Sequence, residues 1–272
     1  MTGRSRQALI AGRGRLPAAL AAAMVQPPLV TAVEGFVPDG LHVDLTFRVE
    51  RLMPFLRHLE TLGVAEVAFA GAVTRPRLDP ALLDPETAAM LPRLMAAMAA
   101  GDDATLRAVI GIFAEFGFSV LGVGDLAPAL LPKPGILAGR LTPQDEADAA
   151  RAAEIVAALG AVDVGQGAVV AQGLCLGVEV LAGTDAMLGG IAGLPPGLRP
   201  DPARGRGVFY KAAKPGQDRR IDLPTLGPDS LRAVAAAGLA GLAFEAGGVI
   251  CLDLAEMQSL ARDKNLFLWA RG

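Results

Sequence analysis

Histidine and cysteine are nearly absent from this chain. Two of each occur among 272 residues: His42 and His58, Cys175 and Cys251. The cysteines lack the Cys/His spacing of a structural zinc site and give no sign of a disulfide framework, so they read as reduced core residues in cytosol. Both histidines read as surface or packing residues, which leaves acid–base and metal chemistry to carboxylates, lysines or water. Aromatic residues make up 4% of the chain, net charge is −3, and no basic block follows the opening stretch. That combination lacks both the stacking platform and the electrostatic footprint of a nucleic-acid binder. Long apolar runs are missing too: none reaches the about 18 residues of a membrane span, and Gly12-Arg13-Gly14-Arg15 interrupts the first before a secretory leader can form.

Hydrophobic residues, at 52%, are plentiful enough for the cores of two domains. Residues 7–11 read as a strand, 12–17 as a tight glycine turn and 18–24 as a helix, the opening of a Rossmann-like unit. The turn has Gly12 and Gly14 without the third glycine of a dinucleotide fingerprint, so a nicotinamide site is not supported, although a phosphate could meet the helix N-terminus. Strands at 29–33, 64–70 and 118–122 alternate with helices at 51–62, 91–100 and 104–115, which predicts a parallel sheet. Gly71 and Arg75 follow the third strand, where parallel sheets place ligand contacts. Asp102 and Asp103 read as helix caps.

Two prolines and a glycine between Leu130 and Gly135 break the alternation. They predict a linker over 131–141, hinged near 131–139, between an N-terminal domain at 1–130 and a C-terminal domain at 142–272. Thr142 starts a capped helix, and residues 162–171 read as a strand broken by Gly165-Gln166-Gly167, glycines that imply close backbone approach. A strand at 174–181 leads to Thr184 and Asp185, which could cap a helix or face a ligand. Residues 193–206 read as a mobile loop and 241–252 as a hairpin about Gly247-Gly248.

The densest charge lies in 207–227. Lys211 and Lys214 precede a Pro215-Gly216 turn, and Arg219 and Arg220 lead into Ile221-Asp222-Leu223-Pro224. Four cations, with Asp222 as an acid flanked by apolar residues, suit an anionic ligand, because Lys and Arg neutralise phosphate oxygens while a carboxylate holds a divalent metal or takes a proton. A solvated charged loop is the competing reading.

Several blocks then carry a resemblance: Leu9-Ile-Ala-Gly12-x-Gly14-x-Leu-Pro17, Gly71-x-Val-x-Arg75-Pro76, Gly101-Asp102-Asp103, Asp163-Val-Gly165-Gln166-Gly167-Ala-Val-Val, Glu179-x-x-x-Gly183-Thr184-Asp185, Lys211-x-x-Lys214-Pro-x-Gln217 and Asp222-Leu-Pro224-Thr225-Leu-Gly227. Together they resemble the LpxI type of UDP-2,3-diacylglucosamine pyrophosphatase. The resemblance implies a two-domain α/β enzyme, a Rossmann-like parallel-sheet lobe followed by a C-terminal α/β lobe. Such an enzyme hydrolyses UDP-2,3-diacylglucosamine to UMP and lipid X in lipid A biosynthesis, with Mg²⁺ and with substrate held between its domains.

On that resemblance Asp222 is the essential aspartate; the chemistry of a pyrophosphate site then has it hold Mg²⁺ or activate water, with Asp185 as the candidate second ligand. Lys211 and Lys214 join it in catalysis, and Gly12, Gly14, Gly71, Arg75, Gln166, Thr184, Asp185, Arg219, Arg220 and Thr225 bind substrate. Arg13 and Ala72 depart from the family pattern. The expected setting is the cytoplasm, with peripheral contact at the inner membrane and a homodimer left open. A non-catalytic nucleotide-lipid binder and a membrane-surface scaffold are the rival readings.

Overall fold

The computed structural model describes residues 6–74 and 78–272, apart from the side chains of Asp102 and Asp103, whose expected capping role therefore lies outside it. It divides into two compact units, Met1–Pro128 and Ala129–Gly272.

The first unit holds β1 (Arg6–Ala11), α1 (Leu16–Ala23), β2 (Leu29–Val33), β3 (Leu45–Phe47), α2 (Leu52–Thr61), β4 (Val64–Ala70), α3 (Pro85–Ala100), α4 (Asp102–Glu115), β5 (Ser119–Leu121) and α5 (Val123–Leu126). Its five strands are all parallel, in the order β3-β2-β1-β4-β5. This is the Rossmann order, and its switch point falls between β1 and β4. Burial explains the sequence pattern, since β2 is buried at every position and so reads as a continuous apolar run. The short β3 was missed because only three residues pair and all are partly exposed or exposed. Helix α3 starts six residues earlier than its apolar pattern suggests, at a signal the pattern omits: the Asp84 side chain accepts from the backbone of Glu86 and Thr87, with Pro85 in the first turn. His42 and His58 are exposed, as expected.

The second unit holds β6 (Gly135–Ala138), α6 (Pro143–Ala161), β7 (Gly167–Ala171), β8 (Leu174–Val178), α7 (Gly183–Ala192), β9 (Val208–Lys211), β10 (Thr225–Leu226), α8 (Pro228–Ala236), β11 (Gly241–Glu245), β12 (Ile250–Cys251), α9 (Leu254–Asp263) and β13 (Phe267–Arg271). Six strands form a mixed sheet in the order β6-β13-β11-β9-β7-β8, in which β9, β11 and β13 run parallel. One face packs Ala149, Ala152 and Val156 of α6 against Val208, Tyr210 and Ala243. The other packs Leu188, Leu231 and Met257, from α7, α8 and α9, against Phe209, Phe244 and Leu268.

Three expectations change here. The segment 131–141 is not only a linker, because Gly135–Ala138 pairs antiparallel with β13 and so completes the second sheet. The 241–252 segment is not a hairpin: β11 pairs with β9 and β13, while β12 pairs with β10 in a separate two-stranded sheet. Burial of both strands demands other partners, which a two-residue turn signal cannot report. Residues 193–206 are pinned, since the Arg199 guanidinium donates to the Ala237 carbonyl and Gln172 Nε2 to the carbonyls of Asp201 and Gly205.

The cysteines divide as well. Cys251 is buried and burial pushes its thiol up to about 12, whereas Cys175 lies exposed on the edge strand β8 and is not a core residue. With a thiol reagent at about pH 8, the native protein should therefore show one fast-reacting cysteine and a second released only on unfolding. Two fast thiols would contradict this packing.

Candidate functional site

Alternation along the strands decides which side chains reach the carboxyl end of the second sheet. In β9, Val208 and Tyr210 face α6 and Phe209 faces the α7–α9 side. A period of two then sends Lys211 to the α7 side. There its Nζ donates to Glu179 Oε2 at 2.8 Å and Oε1 at 3.1 Å, and to Thr184 Oγ1 at 2.6 Å. Glu179 follows β8, and Thr184 is in the first turn of α7. The ion pair is nearly dry, with side chains 7% and 14% exposed. In β11 the same alternation turns Glu245 to the α6 side, where it accepts from the Ala213 backbone at 3.2 Å and from Arg219.

The glycines around Gln166 permit this closeness. A Cβ at Gly165 would lie 1.9 Å from the Glu179 carbonyl oxygen, and one at Gly167 would lie 2.7 Å from Glu179 Oε2. The expected close approach is thus to Glu179, and the strand proper begins only at Gly167.

Gln217 is the second hub. Pro215 and Gly216, the latter at φ 77°, turn the chain so that Gln217 N–H donates to the Lys214 carbonyl at 3.2 Å. The buried Gln217 side chain accepts at Oε1 from Lys214 N–H at 2.9 Å and from Gln166 Nε2 at 2.9 Å, and its Nε2 donates to Asp222 Oδ2. Just beyond Asp222, Pro224 accepts from Ile250 N–H at 2.8 Å and Thr225-Leu226 pairs with β12. Pro224 also restricts the backbone of Leu223. The Asp222 carboxylate is therefore aimed from both sides.

The four predicted cations all carry carboxylate partners. Lys211 meets Glu179, Lys214 meets Asp163 at 2.6 Å, Arg219 meets Glu245, and Arg220 grips Asp218. Asp163, after α6, adopts left-handed backbone at φ 58°. Four cations and four acids thus form four pairs. Arg219 and Arg220 are thus not free phosphate clamps as the sequence suggests. Tyr210 is buried, and burial, with the Glu245 carboxylate, holds its phenol above the ordinary value against the opposing Arg271 guanidinium.

Neither Thr184 nor Asp185 caps α7. Asp185 is exposed and joins no hydrogen bond or ion pair among the described residues, and Thr225 is exposed on β10. Glu179, Gln217, Glu245 and Asp163 were not singled out as site residues. All but Glu245 stand inside the quoted blocks, yet their partners lie 32 or 51 residues away for Glu179 and Asp163, a pairing no local pattern reports. No group of three or more His, Cys, Asp or Glu side chains suited to a metal occurs among the described residues. The Asp222 carboxylate, held by Gln217, offers the oxygen chemistry that Mg²⁺ takes, because magnesium keeps waters and needs few protein ligands.

In the first unit, Gly12 and Gly71 follow β1 and β4 and touch. A Cβ on Gly12 would lie 2.6 Å from the Ala72 carbonyl oxygen, and Arg13 and Ala72 exchange backbone hydrogen bonds of 2.9 Å each way. The Arg13 guanidinium donates to the Gly35 carbonyl at 2.9 Å and lies 5.0 Å from the Phe36 ring centre. Gly14, at φ 95°, has open space around it. Arg75 lies outside the described residues.

Family models match both units: the LpxI N-terminal domain over residues 6–130 and the LpxI C-terminal domain over 133–269. The chain is 36% identical over 267 residues, 96% of its own length and 95% of the relative's, to the UDP-2,3-diacylglucosamine pyrophosphatase LpxI of Caulobacter vibrioides.

Removing Lys211 alone should strand the Glu179 charge in a nearly dry place. Lys211→Met should cost about 3 kcal/mol of stability, and the double Lys211→Met/Glu179→Leu should recover more than half of it. Denaturant midpoints of the three proteins check this. Equal midpoints for wild type and Lys211→Met would remove the pair from the fold's support.

Proposed function

The chain belongs to the LpxI family, and from that membership we propose that it hydrolyses the pyrophosphate bond of UDP-2,3-diacylglucosamine, giving UMP and 2,3-diacylglucosamine 1-phosphate in lipid A biosynthesis. The observation that supports this most is the Asp222 carboxylate, held by the same Gln217 side chain that accepts from the Lys214 backbone.

A pyrophosphate resists attack because its oxygens repel the incoming nucleophile. In the proposed reaction Asp222 orients a water and takes its proton. The water oxygen forms a bond to one phosphorus while that phosphorus loses its bond to the bridging oxygen, which departs on the other phosphate. Gln217 keeps one carboxylate oxygen fixed. Thr184 and Gln166 offer hydrogen bonds toward phosphate or sugar.

The cations act by exchanging partners. Lys214 is 21% exposed at its side chain and Arg219 57%, so either can leave its carboxylate for a phosphate oxygen, whereas Lys211 is held too deeply to swing. Mg²⁺, held by Asp222 and, in this reading, Asp185, would supply charge neutralisation to the diphosphate oxygens. Among the described residues no helix is long and apolar enough to cross a membrane. The lipid substrate would then be met by peripheral contact with the cytoplasmic face of the inner membrane.

Incubation with UDP-2,3-diacylglucosamine and Mg²⁺ separates hydrolysis from mere binding. Asp222→Ala should fold, still bind substrate and lose about 10²–10⁴ in turnover. Near-normal turnover by this variant would overturn the assignment.

A further inference from the structure

The amino end of the second sheet carries a different feature. A cavity of about 780 Å³ opens where β9, β11 and β13 begin, lined by Arg140, Arg204, Arg206 and Arg262 together with the first turn of α6. It is therefore at the opposite end of the strands from Lys211 and Glu245, the last residues of β9 and β11. Its size is that of a small-molecule pocket.

Charge is unbalanced here, unlike at the other end. Arg151, Arg219, Arg220 and Arg232 each meet a carboxylate, but none of the four cavity arginines has an ion-pair partner among the described residues. The one acid in the wall, Asp145, already accepts from Thr142 N–H at 2.9 Å and from Thr142 Oγ1 at 2.7 Å. Four guanidinium groups against one occupied carboxylate leave the wall formally at +3.

The wall is also held in place. Arg206 donates to the Asn265 carbonyl at 3.0 Å, and Gln172 Nε2 donates to the carbonyl of Gly205, beside Arg204, at 3.1 Å. Arginine forks match phosphate oxygens in pairs, and clustered like charges without counter-charges are costly unless an anion joins them.

We propose that this cavity binds a ligand carrying two or more phosphoryl groups, at a site separate from the Asp222 cluster. The phosphates come either from a soluble polyphosphate or from anionic lipid headgroups, and the test distinguishes the two sources.

The full chain would be labelled with an arginine-selective dicarbonyl, and the rate at each arginine read by peptide mass analysis. Labelling is run in tripolyphosphate, in vesicles of phosphatidylglycerol and phosphatidylcholine, and in sodium chloride of matched ionic strength. Saturating tripolyphosphate should slow labelling of Arg140, Arg204, Arg206 and Arg262 by about tenfold relative to the salt. In Arg204→Ala/Arg262→Ala that protection should vanish at Arg140 and Arg206, while turnover of UDP-2,3-diacylglucosamine stays unchanged. Protection by the vesicles alone assigns the phosphate to lipid headgroups. Equal rates in all three media, or protection that survives in the double variant, would overturn the proposal.

Discussion

A lysine and a glutamate buried together at the carboxyl end of the second sheet set the terms for the residues around them. Lys211 and Glu179 are too enclosed to trade each other for water, so each needs the other, and Thr184 takes a further Lys211 hydrogen bond. Buried pairs of this kind contribute little net stability but are expensive to break. Their consequence is geometric. The 179–184 segment, the first turn of α7 and the end of β9 are locked into one arrangement, and the glycines flanking Gln166 are small because Glu179 occupies the space.

From that lock the remaining charges follow in matched pairs. A site that presented four bare cations would bind any phosphate, including its own products, whereas one whose cations are already engaged must be persuaded to release them. The more exposed Lys214 and Arg219 can do so at little cost, since surface ion pairs are worth about 0–1 kcal/mol. Asp222 is held by Gln217, whose Nε2 donates to its carboxylate.

Much of the architecture was legible in the sequence. The first strand, glycine turn and helix, the Thr142 cap and the apolar strands of both sheets were written in local residue types and in periodicity. Alternation even fixes which face of the sheet Lys211 takes. Partnership was less legible: the 241–252 run shows two strands and a turn, yet only the whole sheet reveals that they pair elsewhere. The densest charge in the sequence does not show its own pairing, because Glu179, Asp163 and Glu245 meet it from distant positions. Gln217, a neutral residue in a charged stretch, gave no electrostatic signal of the role it has.

The central claim is that each cation of the site already has a carboxylate partner, from which we propose that a diphosphate is turned over only when a divalent cation accompanies it. Turnover of UDP-2,3-diacylglucosamine, followed as free Mg²⁺ is titrated into chelator-treated protein, tests this most directly. The account predicts no product in excess chelator and full recovery on adding Mg²⁺. Undiminished turnover in chelator would contradict it.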